Sequence, residues 1–220
     1  NTGVSFAVDK MGNEKIAEYL KKFALGEETG IDLPNEAAGN IDALFVKGAA
    51  DIDFASASFG QSIAVSPIEM IRALSTLANK GKLPEPHLVK AVRYENGVTR
   101  SRAQADEVQV IKPETAETVT NMLIKVYDDA LLEGTLKQEH YSIAAKTGTA
   151  QIAIPGGGGY YTDRYLHSFF GYFPAHDPKF IVFLYALEPH GEMYASRTLA
   201  RPFDGIAKFL INYYNVPPDR

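Results

Sequence analysis

The 220-residue sequence is 45% hydrophobic and 22% charged, with 22 Lys plus Arg against 27 Asp plus Glu and a net charge of -5. That is the composition of an ordinary globular chain one generous domain long, and without a long basic run it argues against nucleic acid as a partner. Cysteine is absent, which excludes disulfides and thiolate metal sites, and no apolar run approaches the length of a membrane span.

The chain opens on "NTGVSFAVDKMG" without an initiator Met or a signal peptide, which reads as a start inside a longer protein. Val4, Ala7, Val8 and Met11 share one helical face, and Ile16, Tyr19, Leu20 and Phe23 share another after a break at Gly12 and Asn13. The spacing predicts two short helices, the second closed by Gly26. "ETGIDLPNEAAGN" has no sustained period and reads as a loop lying over something else. Next come Ser66, Pro67 and Glu69, the cap, first-turn proline and reciprocal acid of a capping box. Ile68, Ile71, Leu74, Leu77 and Ala78 then recur at helical spacing as far as Gly81, so this helix is expected to run through the core.

Asn96 and Gly97 sit between two extended runs and predict a β-hairpin. "KPETAETVTNMLIKVYDDA" begins with Pro113, is acidic in its first turn, and lines up Ala116, Val119, Leu123 and Val126, which predicts another helix. From Ser142 the pattern turns extended: "SIAAKTGTAQIAI", "HSFFGYFPA" and "KFIVFLYALEP". The last run has almost no polar interruption, which predicts a central strand covered on both faces. Phe203, Ile206, Ala207, Leu210 and Ile211 return to helical spacing and are expected to pack across the sheet. Helices followed by antiparallel strands and a terminal helix make an α+β domain, with a helical part over about 1–140 and the sheet and terminal helix over about 141–214. Three strands are a thin sheet for this length, which points to an absent partner segment.

The chemistry centres on "KTGT". A lysine in a strand followed by Thr and Gly presents an ammonium and a hydroxyl along one edge, while Gly148 lets a ligand approach the backbone. A carboxylate suits that surface, and Thr149 adds a second hydroxyl and a backbone N–H for a developing oxyanion. Lys-Thr-Gly alone is a weak signal whose plain alternative is an exposed strand end. The match extends to "KTGTAQ", to "HSFFGYFPAHDPKFIVFLYALEP", to "EYLKKFALGEETGIDLPNEAAG" and to "FGQSIAVSPIEMIRALSTLANKG". In their order along the chain, over nearly its whole length, they resemble the class B penicillin-binding proteins, the D,D-transpeptidases that cross-link peptidoglycan.

The resemblance implies a penicillin-binding, β-lactamase-like α+β fold, incomplete at its N-terminus, and a serine acyl transfer from D-Ala-D-Ala stem peptides that β-lactams intercept. It implies Lys146 as a catalytic residue that polarises the site and aids proton transfer, and Thr147, Gly148 and Thr149 as the substrate-binding strand, with the Thr149 N–H in the oxyanion hole. "NTGVSFAVDKMG" resembles the continuation of the family's Ser-x-Asn motif, which makes Asn1 its asparagine. No Ser or Thr in the sequence has a lysine three residues later, so the family's Ser-x-x-Lys nucleophile motif is not among these residues and the chain is expected to be inactive alone. The resemblance further implies no metal or organic cofactor, a place on the extracytoplasmic face of the bacterial membrane, and division or elongation membrane proteins as partners; "HSFFGYFPAHDPKFIV" is more like division-type members.

Other features have plainer readings. His87, His140, His167, His176 and His190 show no metal-ligand spacing, and His167 is read as structural although it starts the strand beside the motif. "PGGGGYYTDRY" lacks the ending and context of a phosphate loop and reads as a strand connection, with Tyr160 and Tyr161 packing or touching substrate. "NYYNVPPDR" reads as a solvated tail after Val216. Two other functions stay open on the same fold: a β-lactam sensor or noncatalytic binding module, and a β-lactamase.

Overall fold

The computed structural model describes residues 2–103 and 107–220, and the chain divides into two compact units, Asn1–Lys112 and Pro113–Arg220. In the first unit α1 (Thr2–Met11) and α2 (Asn13–Lys22) form as expected, and Gly12 breaks them with a φ of 87°, a backbone that favours glycine. The second helix ends at Lys22, before Gly26. A 3-10 turn at Asp42–Leu44 and α3 (Asp51–Ala57), which lie where no period was read, complete the wall around Val8, Leu25, Ile41, Leu44, Phe54 and Ala73.

The helix α4 (Pro67–Ala78) carries the capping box: Ser66 Oγ accepts from the Glu69 amide at 3.3 Å, and Glu69 accepts from the Ser66 amide at 3.1 Å. Its most buried face differs from the expected one. Glu69, Ala73 and Thr76 are buried, while Ile68, Ile71, Leu74 and Leu77 are half-buried. Small side chains bring the helix close, and Glu69 is tolerated inside because it also accepts from the Gly26 amide.

The strands β1 (Lys82–Leu83), β2 (Ala91–Arg93), β3 (Thr99–Ser101) and β4 (Val108–Gln109) are short: β2 and β3 are the predicted hairpin, and β1 pairs with β4. The "TGIDLP" loop is tied down by Asp32, which accepts from the Leu88 and Val89 amides at 2.7 and 2.8 Å. Those two bonds hold its carboxyl below the usual value.

The second unit holds α5 (Pro113–Lys125), β5 (Ala144–Ala153), β6 (Tyr160–Phe173), β7 (Phe180–Leu187) and α6 (Ala195–Tyr213). The predicted helix from Pro113 does not run on unchanged; after Lys125 it widens into a π turn at Val126–Ala130. The strands form an antiparallel meander, β5-β6-β7. Alternation along β6 sends Phe169 and Phe173 to one face, where Phe203 of α6 stacks on Phe169 at 4.5 Å between ring centroids. Tyr172 points to the other face and shares a 2.7 Å hydrogen bond with Thr120 of α5. Of the five apolar positions predicted on the terminal helix, Phe203, Ala207 and Ile211 are buried. Burying one such side chain contributes roughly 1.5–3 kcal/mol.

β7 and the closing segment both depart from expectation. The apolar run of β7 is not the central strand: β6 is, and β7 is an edge of this three-stranded sheet, half-buried along most of its length. Phe180, Val182, Leu184 and Ala186 pack on the core under α6, whereas Tyr185 and Leu187, on the opposite face, are exposed. Nor is the closing segment a solvated tail. Val216 is buried, Tyr141 donates to its carbonyl at 3.0 Å, and Asp219 and Arg220 bind back onto the unit.

Candidate active site

Lys146, Thr147, Gly148 and Thr149 lie in the first half of β5, opposite Phe170, Phe169, Ser168 and His167 of β6. Because strand side chains alternate, Lys146 and Gly148 share one face and Thr147 and Thr149 the other. What the four residues share is an edge: β5 pairs with β6 on one side only, so its other row of amides and carbonyls is open among the described residues. Lys146 is exposed and donates from Nζ to the Thr147 carbonyl at 2.8 Å, which holds the ammonium against its own strand.

Thr149 is anchored from the far side. Its Oγ1 accepts from the Ala195 amide, the first residue of α6, at 3.1 Å. One of the hydroxyl's two lone pairs is thereby engaged, which leaves its proton to donate to an anion. The opposite residue, His167, is fully buried; Nε2 lies 3.0 Å from the Met193 carbonyl and Nδ1 lies 2.8 Å from Thr198 Oγ1. A carbonyl only accepts, so Nε2 carries a proton and donates to it. With both nitrogens engaged, His167 holds the approach to α6, and so the amide that anchors Thr149.

Gly148 leaves room for its neighbour. A Cβ there would fall on Ser168 Oγ, which packs against the glycine on the Lys146 face. Beyond the motif, Gln151 donates to the Tyr161 carbonyl at 3.0 Å, and the Arg164 guanidinium stacks over the Tyr161 ring at 4.3 Å while pairing with Glu188. That pairing raises the Arg164 pKa and lowers that of Glu188. Asn1 lies outside the described residues. Among the described residues no group of three His, Cys, Asp or Glu is placed to hold a metal ion.

Sequence reasoning missed Ser168 and the Ala195 amide. Both touch the motif through pairings between distant segments, and the register that creates them is not encoded in either segment alone. Ser142 and Asp219, four residues before Lys146 and beyond α6, were missed for the same reason.

The model of the penicillin binding protein transpeptidase domain matches residues 1–208. The chain belongs to the penicillin-binding protein transpeptidase family. Among members of this family, the penicillin-binding protein PbpB of Mycolicibacterium smegmatis is 31% identical over 99% of this chain and 34% of its own length. Stage V sporulation protein D of Bacillus subtilis is 32% identical over 93% of this chain and 31% of its own length. The crystal structure of penicillin binding protein 3 from Mycobacterium tuberculosis complexed with aztreonam matches with a TM-score of 0.86 at 28% identity, covering 99% of this chain and 50% of that one. The chain thus spans about a third of the length of the curated relatives it matches.

Proposed function

We propose that this chain carries the substrate-binding strand of a peptidoglycan D,D-transpeptidase and takes part in serine acyl transfer that β-lactams block. The observation that supports it most is Lys146-Thr147-Gly148-Thr149 on the open edge of β5, in a chain that the transpeptidase family model matches almost throughout. An edge strand with free amides is a receptor for an extended peptide, which adds to it as one more strand. A peptide ending in D-Ala-D-Ala brings a terminal carboxylate, and the hydroxyls of Thr147 and Thr149 donate to it.

In the reaction so read, a serine attacks the carbonyl between the two D-Ala residues, and the carbonyl oxygen becomes an oxyanion that the Thr149 N–H stabilises. Collapse releases D-Ala, which takes a proton as it leaves, and an amine of a neighbouring strand then displaces the serine. Lys146 favours the negative charge and assists these proton transfers, and Asn1, on the motif resemblance, binds the substrate amide or the lysine of Ser-x-x-Lys. With no Ser-x-x-Lys in its sequence, the chain alone supplies the strand and not the nucleophile. The parent protein then works on the outer face of the bacterial membrane alongside division or elongation proteins. The domain assignment, 1–220 as the C-terminal portion of the transpeptidase domain, is part of this reading. The described residues contain no helix long and apolar enough to cross a membrane.

The test is intact-mass analysis after incubation with a penicillin. It compares this chain, the chain extended upstream through Ser-x-x-Lys, and Lys146→Ala in the extended form. A drug-sized mass gain confined to the extended chain, and slowed or lost with Lys146→Ala, supports the reading. An unlabelled extended chain overturns the enzymatic reading in favour of a noncatalytic binding module, and rapid loss of the label indicates a β-lactamase.

A further inference from the structure

The residues beyond α6 bind the start of the strand that carries Lys146. Asp219 accepts from the Ser142 amide at 2.7 Å with one carboxylate oxygen and from the Ser142 hydroxyl with the other. Ser142 stands two residues before β5 begins. Its hydroxyl oxygen also accepts from the Ala175 amide at 3.0 Å, just past the end of β6. The Ala175 amide also donates to the Ser142 carbonyl at 3.0 Å, so the carboxylate reinforces a backbone tie between the start of β5 and the end of β6.

Arg220 secures the carboxylate's own backbone. Its guanidinium forks onto Asp128, with one bond at 2.9 Å and a second shorter contact, and donates to the Gln138 carbonyl at 2.6 Å. Asp128 belongs to the π turn after α5, and its side chain is only 8% exposed, so the pair is screened less than a surface ion pair. The Asp219 amide donates to the His140 carbonyl at 3.1 Å, closing the strap. The residues that make these contacts from the C-terminal side, 216–220, lie beyond the family match, which ends at residue 208.

A strap at this point has a definite consequence. β5 is an edge strand whose ladder runs to β6 alone, and a one-residue slip would carry Lys146 and Thr149 to the opposite faces. We propose that Asp219, braced by Arg220, is a positioning residue: it clamps Ser142 and thereby sets the level of Lys146 and Thr149 along the edge of β5. The expected effect on rate rests on the transpeptidase reading, while the clamp itself rests on geometry alone.

The test uses the extended chain that contains Ser-x-x-Lys, with Asp219→Ala, Asp219→Asn and Arg220→Lys. Noncovalent penicillin affinity and the acylation rate constant are measured separately, alongside melting temperature and hydrogen exchange of the amides of residues 144–149. Asp219→Ala is expected to slow acylation roughly tenfold or more, because small misplacements at a reacting centre cost that much. Affinity should change little and exchange over 144–149 should speed up. Asp219→Asn, which keeps an oxygen for the Ser142 amide, should recover part of both. Acylation within twofold of wild type with unchanged exchange would overturn the clamp, as would a loss explained wholly by a smaller folded fraction. Should the wild-type extended chain fail to react with penicillin, the transpeptidase reading falls, and the exchange comparison still decides the clamp.

Discussion

At Gly148 the space for a side chain is taken by one atom, since a Cβ would collide with Ser168 Oγ while Ser168 Cβ lies 3.8 Å away, an ordinary contact. Gly148→Ala should therefore lose about 1–3 kcal/mol of stability, the usual cost of overpacking, and Ser168→Ala in the same chain should restore most of it. Urea denaturation of the two variants checks this; a double variant no more stable than Gly148→Ala would show that the glycine serves something other than room for Ser168. Glu69 is the opposite case, legible from sequence because its partner Ser66 is three residues away. Its further grip on the Gly26 amide was not legible, since that contact spans 43 residues. Glu69→Ala leaves both amides without this acceptor, so it should cost about 2–4 kcal/mol, against about 1 for Ser66→Ala.

Elements show the same division between local and distant causes. Periodicity located α4, α5 and α6, and Asn96-Gly97 located the hairpin, because caps and turn residues act within a few positions. An apolar run, however, reports burial and not neighbours, which is why β7 read as central although its outer edge is open. The join between the π turn and α6 is likewise set by a buried network: Tyr127 and Gln138 donate to Asp204 at 3.0 and 2.7 Å, and Lys208 pairs with it at 2.8 Å. Burial, and then the Asp204 charge, push the Tyr127 phenol above its ordinary pKa of 10.0. The folded state thus keeps its proton where the unfolded chain loses it. This contribution is complete below pH about 10 and is lost as pH rises further, by about 1.4 kcal/mol per pH unit. Tyr127→Phe should be less stable at neutral pH by about 1 kcal/mol, for the lost hydrogen bond, yet decline less steeply in alkali. Parallel slopes for the two proteins above pH about 10 would refute the assignment.

Across the whole chain, the ordered set of motif-bearing segments revealed the family, whereas the pairings that hold the Lys146 strand in place had to be seen. Among the described residues the second unit ends in a sheet with two open sides: β5 offers the edge proposed for substrate, and β7 offers another with no such role. Tyr185 and Leu187 are 56% and 66% exposed, and Leu187 lies directly across from Leu166, which is itself exposed on the same face. An extended, apolar edge without a charged residue along its strand lacks the usual protection against pairing with another chain. This chain should accordingly self-associate, with a sedimentation coefficient that climbs with concentration, and Leu187→Lys should flatten the climb by placing a charge at that edge. The edge proposed for substrate gives an internal control: a peptide bound along β5 should leave β7-driven association unchanged. A single slow species for wild type across the whole concentration range would mean that β7 is already protected in solution, and would remove the edge as a cause of assembly.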